Sequence, residues 1–271
     1  MAISRAQLAK ELEPGLNALF GMEYGRYEGQ HAEIFDTESS DRAFEEEVML
    51  SGFGAAPTKS EGGSVSYDDA QEAYTSRYNH ETVAAAFSIT EEAVEDNLYD
   101  RLAARYTRAL ARSMAHTKQV KAASVLNNAF DSTVKGGDGK ELCATDHPLT
   151  NGGTFSNEPS VAADLNETSL ENALISIAGY TDERGLIIAL RGTKLIIPRQ
   201  LQFVATRLLE SELRVATGDN DINAIRQMGL LPEGYVVNDY LTDSDAFFIK
   251  TDAPNGFKHF ERLALSTQME P

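Results

Sequence analysis

Between residues 90 and 129 the chain contains neither glycine nor proline, and the next glycine is Gly136. Val94, Leu98, Leu102, Tyr106, Leu110 and Met114 recur at every fourth position, a spacing that sets side chains along one side of a helix. Ser88, Ile89, Thr90 and Glu91 stand before this run in the order of a capping box, whose hydroxyl and carboxylate each satisfy a backbone N–H orphaned at a helix start. A helix over 90–129 is about 60 Å long at about 1.5 Å per residue. A compact globule of this chain length has a radius of gyration of about 18 Å, hence a diameter of roughly 48 Å. The rod is longer than that globule is wide. The pattern predicts a flat or elongated molecule, a shape that belongs to assemblies.

The segments before the rod have little apparent core. Residues 1–51 read as a polar, acidic arm, with a short amphipathic piece at 6–20 broken at Pro14 and the run "DRAFEEEVML" near its end. Residues 52–89 are rich in Gly, Ser, Ala and Tyr. Val83, Ala85, Phe87 and Ile89 alternate with the period of a strand, and Val65 and Tyr67 begin a similar alternation. The simplest reading is a two-stranded hairpin with arms of about 12 residues, reaching about 40 Å at roughly 3.3 Å per residue. Such a ribbon is marginal alone in water and needs a surface to lie on.

After the rod, 131–166 is loop-like, full of Gly, Asn, Asp, Ser and Pro. Residues 168–180 read as a helix with Leu170, Leu174, Ile175 and Ile177 or Ala178 on one face. "LIIAL" (186–190) and "KLIIP" (194–198) read as buried strands joined by Arg191-Gly192-Thr193. Pro198 opens a helix running through Leu213, with Leu201, Val204, Leu208 and Leu209 inward and Gly218 as a stop. "YVVND" (235–239), "AFFIK" (246–250) and "GFKHFERLAL" (256–265) are further strands, so the fold class is α+β.

Bulk properties limit the function. Forty-two acidic residues against 24 basic give a formal charge of −18, which repels phosphate backbones and argues against direct nucleic-acid recognition, though not against a wall that encloses nucleic acid without adhering to it. The longest apolar runs are too short to span a bilayer, and "MAISRAQLAKELEPG" lacks the apolar stretch of a secretory signal. The single cysteine cannot form an internal disulfide, which suits a reducing interior.

"ELCATDHPLTNGG" (141–153) holds that cysteine, Cys143, with Asp146 and His147 close behind. A cysteine nucleophile needs an imidazole in hydrogen-bond reach. Here Pro148 holds His147 in extended backbone, and "DHPLTNGG" has the composition of a turn bonding its own backbone. A Cys143-dependent hydrolase is therefore the minor reading. His31, His80, His116 and His259 stand singly, without the ligand set a structural zinc requires, and read as surface or packing residues. "GGDGKEL" (136–142) begins like a phosphate loop, but Val134 stands where its first glycine belongs and Glu141 where the hydroxyl belongs. "DNDINA" (219–224) begins like a calcium loop, but Ala224 replaces its glycine and Leu230 its bidentate glutamate. No catalytic, cofactor-binding or metal residues are assigned.

The order of elements, together with "FGAAPTKSEGG", "DHPL", "LIIPRQLQFVATRLLESE" and "YVVND", resembles the major capsid proteins of tailed phages, closest to the Mu-like major head subunits with the Hong Kong 97-type capsid fold. That resemblance implies an N-terminal arm (1–51), an extended β-hairpin loop lying on a neighbour (52–89), a peripheral domain built on a spine helix (90–151), an α/β axial domain (152–234) and return strands of the peripheral domain (235–271). It implies a structural protein, not an enzyme, without cofactors: a homo-oligomer of hexamers and pentamers forming an icosahedral shell around double-stranded DNA, assembled in the host cytoplasm and residing in the virion. Scaffolding, portal and possibly decoration proteins are the implied partners, with no membrane. The arm starts without the charged helical pro-region that many relatives carry, which implies a separate scaffold or prior cleavage. Some relatives cross-link a loop lysine to a neighbour's asparagine; Lys59, Asn238 and Asn255 match no motif for it. The same fold also serves encapsulin-type nanocompartment shells, the alternative within this class.

Overall fold

The structure, a computed structural model, describes residues 5–27, 29–89, 99–214 and 221–268. In chain order its elements are α1 (Arg5–Tyr24), β1 (Asp36–Ser39), β2 (Phe44–Leu50), β3 (Glu72–Asn79), α2 (Tyr99–Asn127), β4 (His147–Pro148), β5 (Thr154–Phe155), α3 (Glu167–Ala178), β6 (Gly192–Ile197), α4 (Gln202–Glu210), α5 (Ala224–Met228), β7 (Tyr235–Val237), β8 (Phe248–Thr251) and β9 (Lys258–Glu261).

The centre of the fold is β6, paired in parallel with β7 and antiparallel with β8. Successive strand side chains point to opposite faces, and both faces of β6 are covered. Leu195 and Ile197 pack with Leu170 of α3, Ala205 of α4, Ile225 of α5, Leu165 and Leu231. Ile196 points the other way, against Leu126 at the end of α2, Ile34, Phe35 and Leu241. Leu195, Ile196 and Ile197 are each 0% exposed, which explains why this strand is uniformly apolar rather than alternating. The sheet joins 192–197 to 235–237 and 248–251.

α2 spans 29 residues, about 43 Å at about 1.5 Å per residue. The upstream residues 90–98, with the second half of the expected capping box, lie outside the described residues. Its buried row is Ala103, Thr107, Ala111 and Ala115, one position on from the row of larger residues that signalled the helix; Tyr106 is exposed. Small buried side chains allow close approach, and α1 packs along α2. That support carries α1 through Pro14, which lies inside the helix instead of breaking it.

The arm also has more core than its composition indicated. Ile34 and Phe35 are buried beside Leu126 and Ile196, and β1 then pairs in parallel with β9, Asp36 opposite Lys258 through Ser39 opposite Glu261. Two consecutive apolar residues in a polar stretch are enough to pin it.

The ribbon differs from expectation in register. Its paired strands are β2 and β3, Phe44 opposite Asn79 with an irregularity between Val48 and Leu50. No strand forms over 83–89; that segment lies along α2, with Phe87 5.7 Å from Tyr106 between ring centroids and Glu81 ion-paired to Lys121. The alternating residues 83, 85 and 87 are exposed like their neighbours, so the pattern marks no ladder.

"LIIAL" is likewise not a strand. Asp182 Oδ1 accepts from the backbone N–H of Arg184 and Leu186, Gly185 takes a positive φ of 82°, and the chain doubles back so that Ile188 N donates to Tyr180 O. Ala189, at φ 55°, then ends any extended run. α3 begins near its expected place with a true capping box between Asn166 and Ser169. α4 is shorter than expected: it ends at Glu210, and Leu213 instead bridges Ile222; Gly218 lies outside the described residues.

Candidate functional site

The cysteine loop is assembled as structure, not as a catalytic centre. Cys143 N donates to Ala129 O at the end of α2, and Asn157 bridges its neighbours, accepting from Ala144 N and donating to Leu142 O. Burial, with a smaller contribution from Glu158, pushes the thiol up to about 12, so the thiolate needed for attack is scarce at neutral pH. His147 Nδ1 is engaged by Asp138 Oδ2 at 2.5 Å, and Asp146 is paired with Lys140. The imidazole and the carboxylate thus serve partners other than the thiol. His147 and Pro148 form β4, which turns through Gly152 to β5, the self-bonded turn expected of "DHPLTNGG". The hairpin is bolted to the 180–188 turn: Thr150 donates through N and Oγ1 to the buried Glu183, and Phe155 meets Tyr180 edge to face at 4.8 Å.

The other histidines are packing residues. His31 bonds Gln119 of α2 and lies edge to face on His259, 5.4 Å between centroids; burial lowers the pKa of both. His80 bonds Ser40, and His116 leans on Tyr240. Among the described residues no group of three or more His, Cys, Asp or Glu could hold a metal ion, and no helix is long and apolar enough to cross a membrane.

What stands out is apolar surface on extended segments. Beyond the β2–β3 ribbon, residues 51–71 form a loop closed at its root by Ser51, whose N donates to Gln71 O and whose Oγ accepts from Gln71 N, and by Arg184, which donates to Gly52 O, Asp68 Oδ1 and Asp69 O. Asp68 also accepts from Gly54 N, and that bond, ahead of Arg184, holds its carboxyl below the usual range. The loop presents Phe53, Val65 and Tyr67 to solvent, Tyr67 at 95% exposure, and Leu50 on β2 is exposed as well. A second apolar surface is the 186–188 turn, where Ile187 is 71% exposed. Arg184 and this turn were missed from sequence; "TDERG", an Asx turn followed by glycine, was the available signal. Lys59 lies on the exposed loop, whereas Asn238 is buried, its Oδ1 accepting from Tyr240 N.

A loop that orders its root yet leaves its apolar tip in water is a feature of a subunit. A family model described as phage capsid protein matches residues 72–270. The chain belongs to the phage capsid protein family. Among solved structures it is similar to the bacteriophage JBD30 capsid (TM-score 0.60, 12% identity, 80% of this chain and 92% of the JBD30 chain). It is also similar to that capsid decorated with minor capsid protein trimers (TM-score 0.59, 14% identity, 80% and 92%). The JBD30 procapsid matches at TM-score 0.58 and 15% identity over 88% of this chain and 100% of that one. A search of curated proteins found no match. The protein is therefore a phage capsid structural protein with an α+β fold of the Hong Kong 97 type, a component of the virion shell and not an enzyme. The hydrolase reading centred on Cys143 falls with that membership and with a thiol whose pKa burial raises.

Proposed function

We propose that this chain is the major subunit of an icosahedral head that encloses the double-stranded DNA of a tailed phage, built as pentamers and hexamers. In this reading 1–51 is the arm, 52–89 the extended loop, 90–151 and 235–271 the peripheral domain around α2, and 152–234 the axial domain. The apolar tip carries the reading: Leu50, Phe53, Val65 and Tyr67 are all more than half exposed in the single chain. Large apolar side chains exposed together on one loop favour an interaction site, and burial against sister copies would supply what the chain itself does not. The family match favours a phage head over a nanocompartment shell. The JBD30 capsid carries minor capsid protein trimers, so a trimeric decoration protein is the partner to seek here, beside scaffold and portal.

The test is deletion of residues 53–69, which removes the tip and leaves β2 and β3 paired. The variant is expected to keep the circular dichroism of the parent while electron microscopy shows no shells. Normal closed shells from this variant would end the reading. DNA recovered from intact particles distinguishes a genome container from an enzyme compartment.

A further inference from the structure

The arm meets α2 at a buried amide side chain. Gln119, 5% exposed, accepts from the backbone N–H of His31 through Oε1 at 3.0 Å and holds its Nε2 3.0 Å from His31 Nδ1. The first bond fixes the amide, because only its oxygen can accept a backbone N–H. The NH2 group therefore faces the ring and donates to Nδ1. Nδ1 is an unprotonated acceptor, and the neutral ring carries its hydrogen on Nε2. Turning the amide round to receive an Nδ1–H would set its NH2 against the backbone N–H, donor against donor. The docked arm accommodates a neutral His31 and not an imidazolium.

The surroundings do little to offset that cost. His31 lies in the short 3-10 helix Gln30–Glu33, and Gly29 covers its ring so closely that a Cβ built there lies 3.2 Å from Cε1 and 3.4 Å from Nδ1. From β9, His259 meets the ring edge to face at 5.4 Å, and its own Nδ1 is buried with no hydrogen-bond partner among the described residues. From α2, Lys118 bears on both rings with like charge, opposed by Glu261 of β9, which also bears on Tyr24 of α1. Burial first, and Lys118 second, hold both imidazoles below the ordinary value of 6.5. The nearby acids of the arm, Glu33 and Asp36, are paired with Lys194 and Lys250.

We infer that His31 and Gln119 form a proton-operated catch, holding arm residues 29–40 down while His31 is neutral and letting them go when its ring gains a proton. Ile34 N and Phe35 N donate to His31 O, Asp36 N donates to Phe257 O, and Ser40 N donates to Glu261 O. Loosening the turn at His31 therefore opens the β1–β9 pairing and draws Ile34 and Phe35 from the core. A ring that the docked arm keeps neutral takes its proton more readily once released. Docking is thus at full strength above about pH 6.5 and weakens as the pH falls below it. The catch lies within one chain and operates whether or not copies assemble.

Hydrogen exchange of the full chain, kept as dilute subunits and read as protection factors corrected for intrinsic exchange, tests it. Between about pH 7.5 and about pH 5.5 protection of the Ile34, Phe35 and Asp36 amides is expected to fall severalfold, one proton allowing at most about tenfold per pH unit. Protection of β6 is expected to hold. His31→Asn sets an amide oxygen in place of Nδ1, which keeps the acceptor for Gln119 but cannot titrate. Its arm is expected to change by less than about twofold over the same range. Gln119→Glu accepts both from the backbone N–H and from a protonated Nδ1, so its arm is expected to be held more firmly as the pH falls, reversing the sign. Constant protection in wild type overturns the catch, as does an equal fall in H31N, an equal fall in Q119E, or a loss that spreads to β6. Should H31N not match the circular dichroism of the parent at neutral pH, the sign in Q119E decides.

Discussion

"LIIAL" at 186–190 and "KLIIP" at 194–198 are nearly the same string, three residues apart, and they meet opposite fates. Leu195, Ile196 and Ile197 are wholly buried, whereas Leu186, Ile187 and Ile188 are 37%, 71% and 47% exposed. Apolar content sets a demand for burial of about 25 cal/mol per Å² but does not say which surface meets it. For the second run the surface is its own chain: a helical layer on one face and the end of α2 with Ile34 and Phe35 on the other. For the first, turn chemistry takes over. Asp182 and Gly185 fold the segment back, and Ala189 leaves the extended region. What remains is an apolar turn exposed in the single chain.

The contrast breaks most sharply at Leu195. Leu195→Ala removes a fully buried side chain from a cluster that spans three helices and is expected to cost about 2–5 kcal/mol, read as a lowered denaturant midpoint of the isolated subunit. The same truncation at Ile187 is expected to fall within about 0.5 kcal/mol. Equal losses at the two positions would show that the turn is buried in the free subunit and would erase the distinction.

Gly192 sharpens the comparison, because it is where the chain enters the core. A Cβ built there lies 2.8 Å from Leu174 Cδ2, 3.0 Å from Ile249 Cγ2 and 3.1 Å from Leu231 Cδ2. Gly192→Ala forces these side chains apart and is expected to destabilise by about 1–3 kcal/mol. Thermal unfolding that matches wild type would show that the sheet and its helical layer are packed more loosely than these distances state.

Several parts of the fold were readable because one interaction dominated locally. α2 follows from a long run of helix formers, and β6 from an apolar stretch too continuous for a one-sided sheet. The turn at Leu149–Gly153 follows from its Asn and Gly residues. Periodicity alone does not name a partner: Phe87 meets the ring of Tyr106, but 83–89 pairs with no strand and its alternating residues stay exposed. The arm's contribution to the core hangs on Ile34 and Phe35, two residues that no period can flag. For the site, the exposed loop was legible as a ribbon too thin to stand alone. Its clasp, Arg184, was not, because a hydrogen bond across more than a hundred residues leaves no local trace.

The smallest effect on the subunit is the most informative about assembly. Ile187→Ser exchanges an exposed apolar side chain for a polar one of smaller volume at a position with 71% exposure, so the monomer's unfolding midpoint is expected to stay within about 0.5 kcal/mol of wild type. On the proposed reading, the axial segment that holds Ile187 packs around each ring, and a contact there is repeated by every copy. A loss of about 1 kcal/mol per contact, the order of one side chain's apolar burial, multiplies across five or six subunits. Shell yield at fixed protein concentration is therefore expected to collapse while the free subunit is unchanged, with the threshold concentration for assembly raised at least severalfold. Light scattering during assembly, followed by electron microscopy, measures this directly. Were Ile187→Ser to assemble at the wild-type threshold, the 186–188 turn would face solvent in the shell too, and its apolar surface would have to be explained by a decoration partner instead of by sister copies.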